Sequence, residues 1–322
     1  MDYNSINILI LSVGTRNKIV QYFKQELNGQ GKVFAADASP LAPALYDADY
    51  YYIIPKLNDN SYLNEVLKIC KENKIDAVLS LIDPELLRLA KNRQAFEAIG
   101  TTPIVSSTET IELFYDKYQM MKALVNKQFN TIKSFMSIAN LKKAMEQNVV
   151  TFPVFVKPVS GSASLNINKV HTMEQLTELF KHHENLMIQE FIDGKEYGID
   201  VYVDMQSKEM SAMFIKEKLL MRAGETDKSV SLHKKELFNY VKRFVEAFDF
   251  VGPIDVDVFE RNGQYLISEV NPRFGGGYPH AHACGVNFIK AVIDNLNQKT
   301  STQSFDYDIE TYMLKYNEIK IL

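Results

Sequence analysis

The residues best equipped for chemistry lie in one run, Gly252 to Gly277, GPIDVDVFERNGQYLISEVNPRFGGG. It reads as two strands joined by an Asn262-Gly263 turn and followed by a glycine-rich loop. Alternate side chains of a strand share a face, so Asp255 and Asp257 point one way. Glu269, Asn271 and, if the strand continues that far, Arg273 share a face in the same manner. If the hairpin pairs in simple register, Asp257 meets Glu269 and Asn271. Two carboxylates and an amide then form an all-oxygen set with a guanidinium at its edge. Such a set suits Mg2+ (or Mn2+), which takes few protein carboxylates and fills its shell with phosphate oxygens and water. The planar fork of Arg273 matches phosphate oxygens, which makes it the expected catalytic partner of a phosphoryl group in transfer. The bland alternative is a solvated hairpin face, but plain structure gives no reason for three consecutive glycines.

A second candidate is FPVFVKPVSGSAS, residues 152–164. Lys157 sits in an otherwise apolar strand, where a charge is costly without a partner. Ser160, Gly161, Ser162 and Ala163 follow, small enough for backbone N–H groups to approach phosphate oxygens. A lysine as point charge beside a loop acting as lid suits a nucleoside polyphosphate. The pattern is not Gly-x-x-x-x-Gly-Lys-Ser/Thr, and an ordinary turn beside an edge lysine is an equal alternative. Further on, LMIQEFI supplies Gln189, Glu190, Phe191 and Ile192, whose backbone groups and apolar side chains could border a purine. Glu196 is placed to hold sugar hydroxyls.

Other combinations are weaker. His280, His282 and Cys284 alternate, but no fourth ligand lies at a usual zinc spacing. VGTRN after the first strand has one glycine where a dinucleotide fingerprint needs three. Arg16, Asp37 and Asp83 fall at the carboxyl ends of strands, where ligands gather in open α/β sheets, although capping and loop solvation explain each as well. Arg222 and Tyr278 are weak candidates for lining a substrate pocket, and the stretch LMRAGETDKS reads as a mobile loop beside it.

The elements that must position these residues follow from periodicity. Apolar runs at Ile6–Val13, Lys32–Ala36, Tyr50–Ile54 and Ile75–Ile82 read as strands. Helical spacing at 16–27 and 61–71 separates them, with Asp83-Pro84 as the cap and first residue of the next helix. Alternating strands and helices predict a parallel, doubly wound sheet. Pro103–Val105 is a short strand, and Ser106-x-x-Glu109 is read as a capping box. Strands at 131–135, 151–158, 186–192, 196–203 and 209–216, with a helix at 233–248, lead into the hairpin. Residues 286–297 form a closing helix, and YMLKYNEIKIL is a last strand that the sequence does not place.

Composition bounds the function. The chain has 322 residues, 46% hydrophobic and 24% charged, with a net charge of -4. That is the balance of a globular protein of two or three lobes, and it disfavours nucleic acid or an anionic membrane as main partner. Two cysteines, far apart, give no metal or redox motif. The N-terminal MDYNSINILILSVG does not read as a signal peptide, and no stretch reads as a membrane span, so the cytoplasm is the expected compartment.

Taken in order, FYDKY, FVKPVSGSAS, IQEFIDGKEYGID and ISEVNPRFGGGYPHA resemble the ATP-grasp superfamily, and within it the single-unit proteins akin to the carbamoyl-phosphate synthase large chain. The resemblance covers nearly the whole chain. It implies α/β and α+β architecture: a pre-ATP-grasp doubly wound parallel sheet at 1–102, then a two-lobed ATP-grasp fold at 103–300, with lobes 103–185 and 186–300, and a C-terminal segment at 301–322. It implies ATP and Mg2+ as cofactors. Lys117 and Lys157 would contact phosphates, Glu190 and Ile192 would border adenine, and Glu196 would hold the ribose. Asp257, Glu269 and Asn271 would carry the metal, with Arg273 on the transferred phosphate. The implied activity is ligation of a small carboxylic acid to an amine or ammonia through an acyl phosphate. Phosphorylation of bicarbonate or carbamate, a non-catalytic ATP-binding module and a kinase are the competing readings. One departure is Asp257, a glutamine or glutamate in many relatives. A second is length, with one ATP unit and no internal repeat. A homodimer is a guess that no residue pattern carries.

Overall fold

The structure is a computed structural model and describes residues 5–161, 168–222 and 224–322. Ser162, Ala163 and Ser164 of the expected phosphate loop lie outside these residues, as does Ala223.

The chain opens with strands β1 (Ile6–Leu11), β2 (Gly31–Asp37), β3 (Tyr50–Ile53), β4 (Ala77–Ser80) and β5 (Thr102–Pro103). They form a parallel sheet in the order β3-β2-β1-β4-β5. Helices α1 (Asn17–Leu27), α2 (Tyr62–Glu72), α3 (Asp83–Lys91) and α4 (Arg93–Glu97) alternate with them. The sheet is doubly wound: α1 covers one face, and α2, α3 and α4 cover the other. Chain order reverses between β1 and β4, the switch point where open α/β sheets present a crevice. Arg16 and Asp83 follow those two strands.

Local reading misplaces two caps. Asp83 is the first helical residue of α3 and its carboxylate does not cap, because it bonds Arg273 instead. The next helix, α5 (Thr108–Tyr115), is capped by Ser107, which accepts from Thr110 N. Ser106, read as the cap, instead bonds Val251 across the chain. Asp116 then breaks the helix and caps α6 (Lys117–Asn126), leaving Lys117 at its first position.

A small antiparallel sheet comes next. Its strands are β6 (Ser134–Phe135), β7 (Val154–Pro158), β8 (Asn168–Val170) and β9 (Leu186–Glu190), in the order β6-β9-β7-β8. Helices α7 (Ile138–Glu146) and α8 (Met173–His182) cover it. β9 pairs with β7 from Val154↔Glu190 to Pro158↔Leu186, so residues 186–190 belong to this small sheet.

The large antiparallel sheet contains β10 (Lys195–Val203), β11 (Met210–Arg222), β12 (Glu225–Ser231), β13 (Gly252–Arg261), β14 (Gln264–Asn271) and β15 (Tyr312–Leu314). Their order is β14-β13-β10-β11-β12-β15, so the unplaced C-terminal strand is an edge strand beside β12. Most of the stretch read as a mobile loop is strand, with β11 paired to β12 out to Arg222↔Glu225. One face of the sheet is apolar and packs on α9 (Lys235–Glu246). Leu237, Val241, Phe244 and Val245 recur at helical spacing and bury a single stripe there. Truncating a buried phenylalanine such as Phe244 to alanine would cost about 3–5 kcal/mol. The other face is polar and forms the floor of a cleft.

Helices α10 (Tyr278–Ala283) and α11 (Phe288–Leu296) return the chain to the first sheet. One apolar core joins β1, β2 and α1 to Phe274, Tyr278 and α11 and to Tyr202 and Phe214 of the large sheet. The first sheet thus shares a core with the C-terminal part of the chain and is set rigidly over the cleft.

Candidate active site

The floor of the cleft is built by the hairpin β13–β14. Asn262 and Gly263 both have positive φ, 53° and 75°, as a tight two-residue turn of this hand requires. The register is not simple. Asp257 pairs with Glu269 and Asp255 with Asn271, but Val258 pairs with Ile267, so Ser268 is a bulge residue. Its hydroxyl donates to the Asp257 carbonyl at 3.1 Å. The extra residue resets the alternation. Ser268, Glu269 and Asn271 line the cleft and Leu266 packs against its wall residues Ile132, Ile192 and Phe259, while Ile267 and Val270 face the core. An apolar wall and a polar set therefore share one surface of one strand.

The cleft holds about 450 Å3. At one end Ile132, Ile192, Phe259 and Leu266 form a compact apolar cluster beside the end of β9. Gln189 and Glu190 border the same end. Gln189 donates to Ser134 Oγ at 3.2 Å, and Glu190 is paired with Arg261 at 2.6 Å. Phe191 does not line the cleft; its ring packs on Phe155 at 5.5 Å between centroids, with Lys169 over it at 3.8 Å.

In the middle stand Lys157, Glu196, Asp257, Glu269 and Asn271. Glu269, Lys157 and Asn271 make no side-chain hydrogen bond to any described residue, and Lys157 and Asn271 are each only 8% exposed. Burial would raise Glu269, but Lys117, Lys157, Lys218 and Arg273 outweigh it and hold the carboxyl below its usual range. Burial lowers Lys157, with Glu269 opposing. Asp257 moves the other way: burial pushes it up to about 7 against the attraction of Lys218. Lys218 Nζ lies 2.6 Å from Asp257 Oδ1 and 2.9 Å from Glu196 Oε1. The first contact is an ion pair without hydrogen-bond geometry, which leaves Asp257 Oδ1 buried and unbonded.

Lys117 and Gly161 do not line this cleft. They bound a small void beside it, walled on the far side by Glu269 and Asn271. Lys117 Nζ donates to the Gly161 carbonyl, and Ser160 bridges Asp116 through the backbone.

Arg273 lies beyond the end of β14, buried, with Nη2 2.7 Å from Asp83 Oδ2 and Nη1 donating to the Phe274 carbonyl at 2.9 Å. Burial lowers its pKa, but Asp83 and Asp255 more than offset that and raise it. Its Nε and the Asp83 Oδ1 are buried without partners. Arg16 joins it from the other side of the switch point and pairs with Glu225 at 2.9 Å, which Lys315 also holds at 2.8 Å. The three glycines now have a reason, which is space rather than turn geometry. A Cβ on Gly275 would lie 2.6 Å from Asp255 Cγ, one on Gly276 2.9 Å from Arg16 Nη1, and one on Gly277 2.7 Å from Lys216 Cε.

Residues 114–277 match the family described as the ATP-grasp domain, about half of the chain. The chain belongs to the ATP-grasp family. Residues 8–104, ahead of the ATP-grasp match, match the PylC-like N-terminal domain. The chain is 22% identical over 209 residues to the carbamoyl phosphate synthase large chain of Thermoanaerobacter sp. (strain X514), covering 61% of this chain and 20% of that one. It is 23% identical over 282 residues to the L-arginine-specific L-amino acid ligase of Bacillus subtilis, covering 80% of this chain and 67% of the relative. It therefore spans about one fifth of the first relative and two thirds of the second. Among solved structures, N5-carboxyaminoimidazole synthetase from Staphylococcus aureus complexed with ADP superposes with a TM-score of 0.77 at 17% identity, covering 97% of this chain and 82% of that one. That likeness shows a shared fold.

Several ATP-grasp cleft residues escaped sequence reading. Asp255 was seen to share a face with Asp257 but was given no role; it lines the cleft and has no described hydrogen-bonding partner. Lys218 lies just past the strand read at 209–216 and carries no role there. The signal was Lys216-x-Lys218, two cations on one face of an apolar strand. Ile132, Phe259 and Leu266 carried no signal, because their meeting depends on three separate elements. Four weaker candidates fall elsewhere. Asp37 bonds the backbone N–H groups of Gly14 and Ser39. Tyr278 is fully buried and donates to Val286 O, Arg222 pairs with Asp227 at the hairpin, and His282 stacks on Tyr22. No group of three His, Cys, Asp or Glu residues among the described residues forms a metal cage by itself. His280 accepts from Ser229 Oγ through Nδ1 at 2.8 Å and donates to the Thr311 carbonyl through Nε2 at 3.0 Å, which accounts for both ring nitrogens.

Proposed function

We propose that this chain is an ATP-dependent ligase that activates a substrate carboxylate by phosphorylation and joins it to an amine or ammonia. The observation that carries this reading is the meeting of Asp257, Glu269, Asn271, Lys157 and Arg273 in one cleft. Beside them lies the apolar cluster of Ile132, Ile192, Phe259 and Leu266, of the character a purine needs.

The residues fit a magnesium–nucleotide pair. Glu269 is ionised and unbonded, Asn271 has a free amide oxygen, and Asp257 offers Oδ1, which is ion-paired with Lys218. Those three would hold Mg2+ (or Mn2+), which supplies charge neutralisation at the terminal phosphates. Lys157 adds a buried positive charge beside them. Ile192 would border a flat apolar ring, with Leu266 packed behind it, the backbone at Glu190 would offer polar edges, and Glu196 would accept from sugar hydroxyls.

A carboxylate resists an amine because its leaving group would be oxide. Transfer of the γ-phosphoryl group of ATP to one carboxylate oxygen breaks the bond to ADP, which leaves, and makes phosphate the next leaving group; the amine nitrogen then bonds the carbon as the C–O bond breaks, releasing phosphate and a proton. Arg273 stabilises the negative charge that develops on the phosphoryl oxygens, and it is preorganised by Asp83. Arg16 and Asp255, in the part of the cleft beyond Arg273, face the acceptor substrates.

The division of the chain belongs to this proposal: a 1–102 lobe, an ATP-grasp unit at 103–300 with its inner boundary after Glu190, and a 301–322 segment. So does a homodimer, supported by Tyr50, Tyr51 and Ile53, exposed on the edge strand β3. No helix among the described residues is long and apolar enough to cross a membrane. Cys70 and Cys284 are free, buried thiols, which supports the reducing cytoplasm as the compartment.

The test is phosphate release from ATP and Mg2+ against an array of carboxylic acid and amine pairs. Glu269→Gln should abolish turnover and leave the fold intact, and an unchanged rate in that variant would reject the site. The second reading, activation of bicarbonate, is favoured by the likeness to the synthase large chain. Phosphate release that needs bicarbonate and no added carboxylic acid would establish it. Tight ATP binding without ADP release under every pair would instead indicate a nucleotide sensor.

A further inference from the structure

The most crowded charge in the cleft is Lys218. Its stem starts on β11, crosses β10 and ends over β13. Gly198, opposite Lys216 on β10, leaves the way open: a Cβ there would lie 3.1 Å from the Cε of both Lys216 and Lys218. Lys216 turns aside to Asp200, its own buried partner. Lys218 reaches further and ties Glu196 at 2.9 Å to Asp257 at 2.6 Å. One ammonium thus joins the carboxylate proposed for the ribose to a carboxylate proposed for the metal. Of the three metal candidates, Asp257 alone is engaged; Glu269 and Asn271 have no described hydrogen-bonding partner.

A cation arriving alone must take Asp257 from an ammonium that is 6% exposed. It would leave that ammonium facing Glu196 alone in a site poor in water, and a buried charge that loses a partner is strongly disfavoured. A nucleotide changes the exchange. Its sugar hydroxyls satisfy Glu196, and its phosphate oxygens give the ammonium a new anionic neighbour.

We propose that Lys218 is an internal counterion that keeps a divalent cation out of the nucleotide-free cleft, so that the metal enters together with the nucleotide; this rests on the metal and nucleotide assignments proposed above. Lys218 is in this sense a positioning residue, acting through Glu196 and Asp257.

The experiment is a titration of the full chain with Mn2+ in the absence of nucleotide, read by electron paramagnetic resonance of the free ion. The wild-type protein should show only weak binding. Lys218→Met should gain one Mn2+ site at least about tenfold tighter, since removing a cation beside two carboxylates deepens their field. The gain should vanish in Lys218→Met with Asp257→Asn, and Lys218→Arg should restore exclusion. If Lys218→Met does not fold by circular dichroism, Lys218→Gln replaces it. Equal Mn2+ affinity in the wild type and the variant overturns the proposal, and so does a gained site that Asp257→Asn leaves in place. A separate arm measures a fluorescent ATP analogue with Mn2+ on the wild type. No binding there refutes the nucleotide assignment, whereas the bare-ion comparison still decides the role of Lys218.

Discussion

Removal of Asp83 tests whether the first sheet is part of the transfer site. The Arg273–Asp83 pair is 2.7 Å long, its side chains are 9% and 7% exposed, and its members are 190 residues apart. Breaking a buried pair by deleting one partner costs about 3–5 kcal/mol. Arg273 would keep its bond to the Phe274 carbonyl and the attraction of Asp255 and Glu269, so Asp83→Ala belongs at the lower end, about 3 kcal/mol. Asp83→Asn should cost roughly half of that, because its amide oxygen still accepts from the guanidinium. In a chain of this length about 3 kcal/mol lowers the melting temperature by about 4 °C. Urea unfolding gives the stability change directly. Phosphate release under saturating ATP should fall in both variants as Arg273 loses its fixed orientation. Variants within about 0.5 kcal/mol of the wild type, with undiminished turnover, would refute the claim that this bond sets Arg273 in place.

Gly194→Ala should destabilise the chain by about 2 kcal/mol or more, because a Cβ there would lie 2.3 Å from the Glu260 carbonyl oxygen; denaturant titration measures it. The same variant should weaken binding of a fluorescent ATP analogue, since Ile192 and Glu196 flank the displaced turn. Stability should also fall with acid. Burial lowers His280 to about 4, so the unfolded chain binds a proton first; the contribution, about 3 kcal/mol, is complete above pH 6.5 and is lost as pH falls towards 4. His282 is shifted in the same direction by burial. His280→Asn should flatten the dependence of unfolding free energy on pH over that window, whatever its effect at pH 8. Leu266→Ala should weaken binding of the nucleotide with Mn2+ about tenfold while leaving the weak uptake of Mn2+ alone unchanged, a split that isothermal titration resolves.

Legibility in the sequence followed the range of the interactions. The Asn262-Gly263 turn and the Glu269-x-Asn271 spacing are local, and they place a polar face on a hairpin without help from the rest of the chain. The parallel order of the first sheet follows from strand and helix alternation. Partners far along the chain were invisible. Asp83-Pro84 is a textually perfect helix start, and only Arg273, brought up by the shared core, shows why its carboxylate turns away. The edge position of β15 depends on pairing with β12, which no periodicity encodes. Leu186–Glu190 has the pattern of a buried strand, and that pattern serves either antiparallel sheet equally. Lys218 was legible as an oddity in an apolar strand, but its two partners lie on different strands. Gly-Gly-Gly was legible as unusual, and its cause emerged only with the side chains it accommodates.

The bulge at Ser268 makes the reading frame of β14 a matter of arithmetic. A deletion of one residue between Leu266 and Glu269 would leave composition and hydropathy almost untouched. It would also leave Leu266 and Glu269 on one face, because two positions apart they alternate regularly, whereas loss of Val270, where no bulge absorbs it, would turn Glu269 and Asn271 to opposite faces. Natural and designed variants of this segment should therefore tolerate exchange or loss of Ser268 far better than loss of a residue between Glu269 and Asn271.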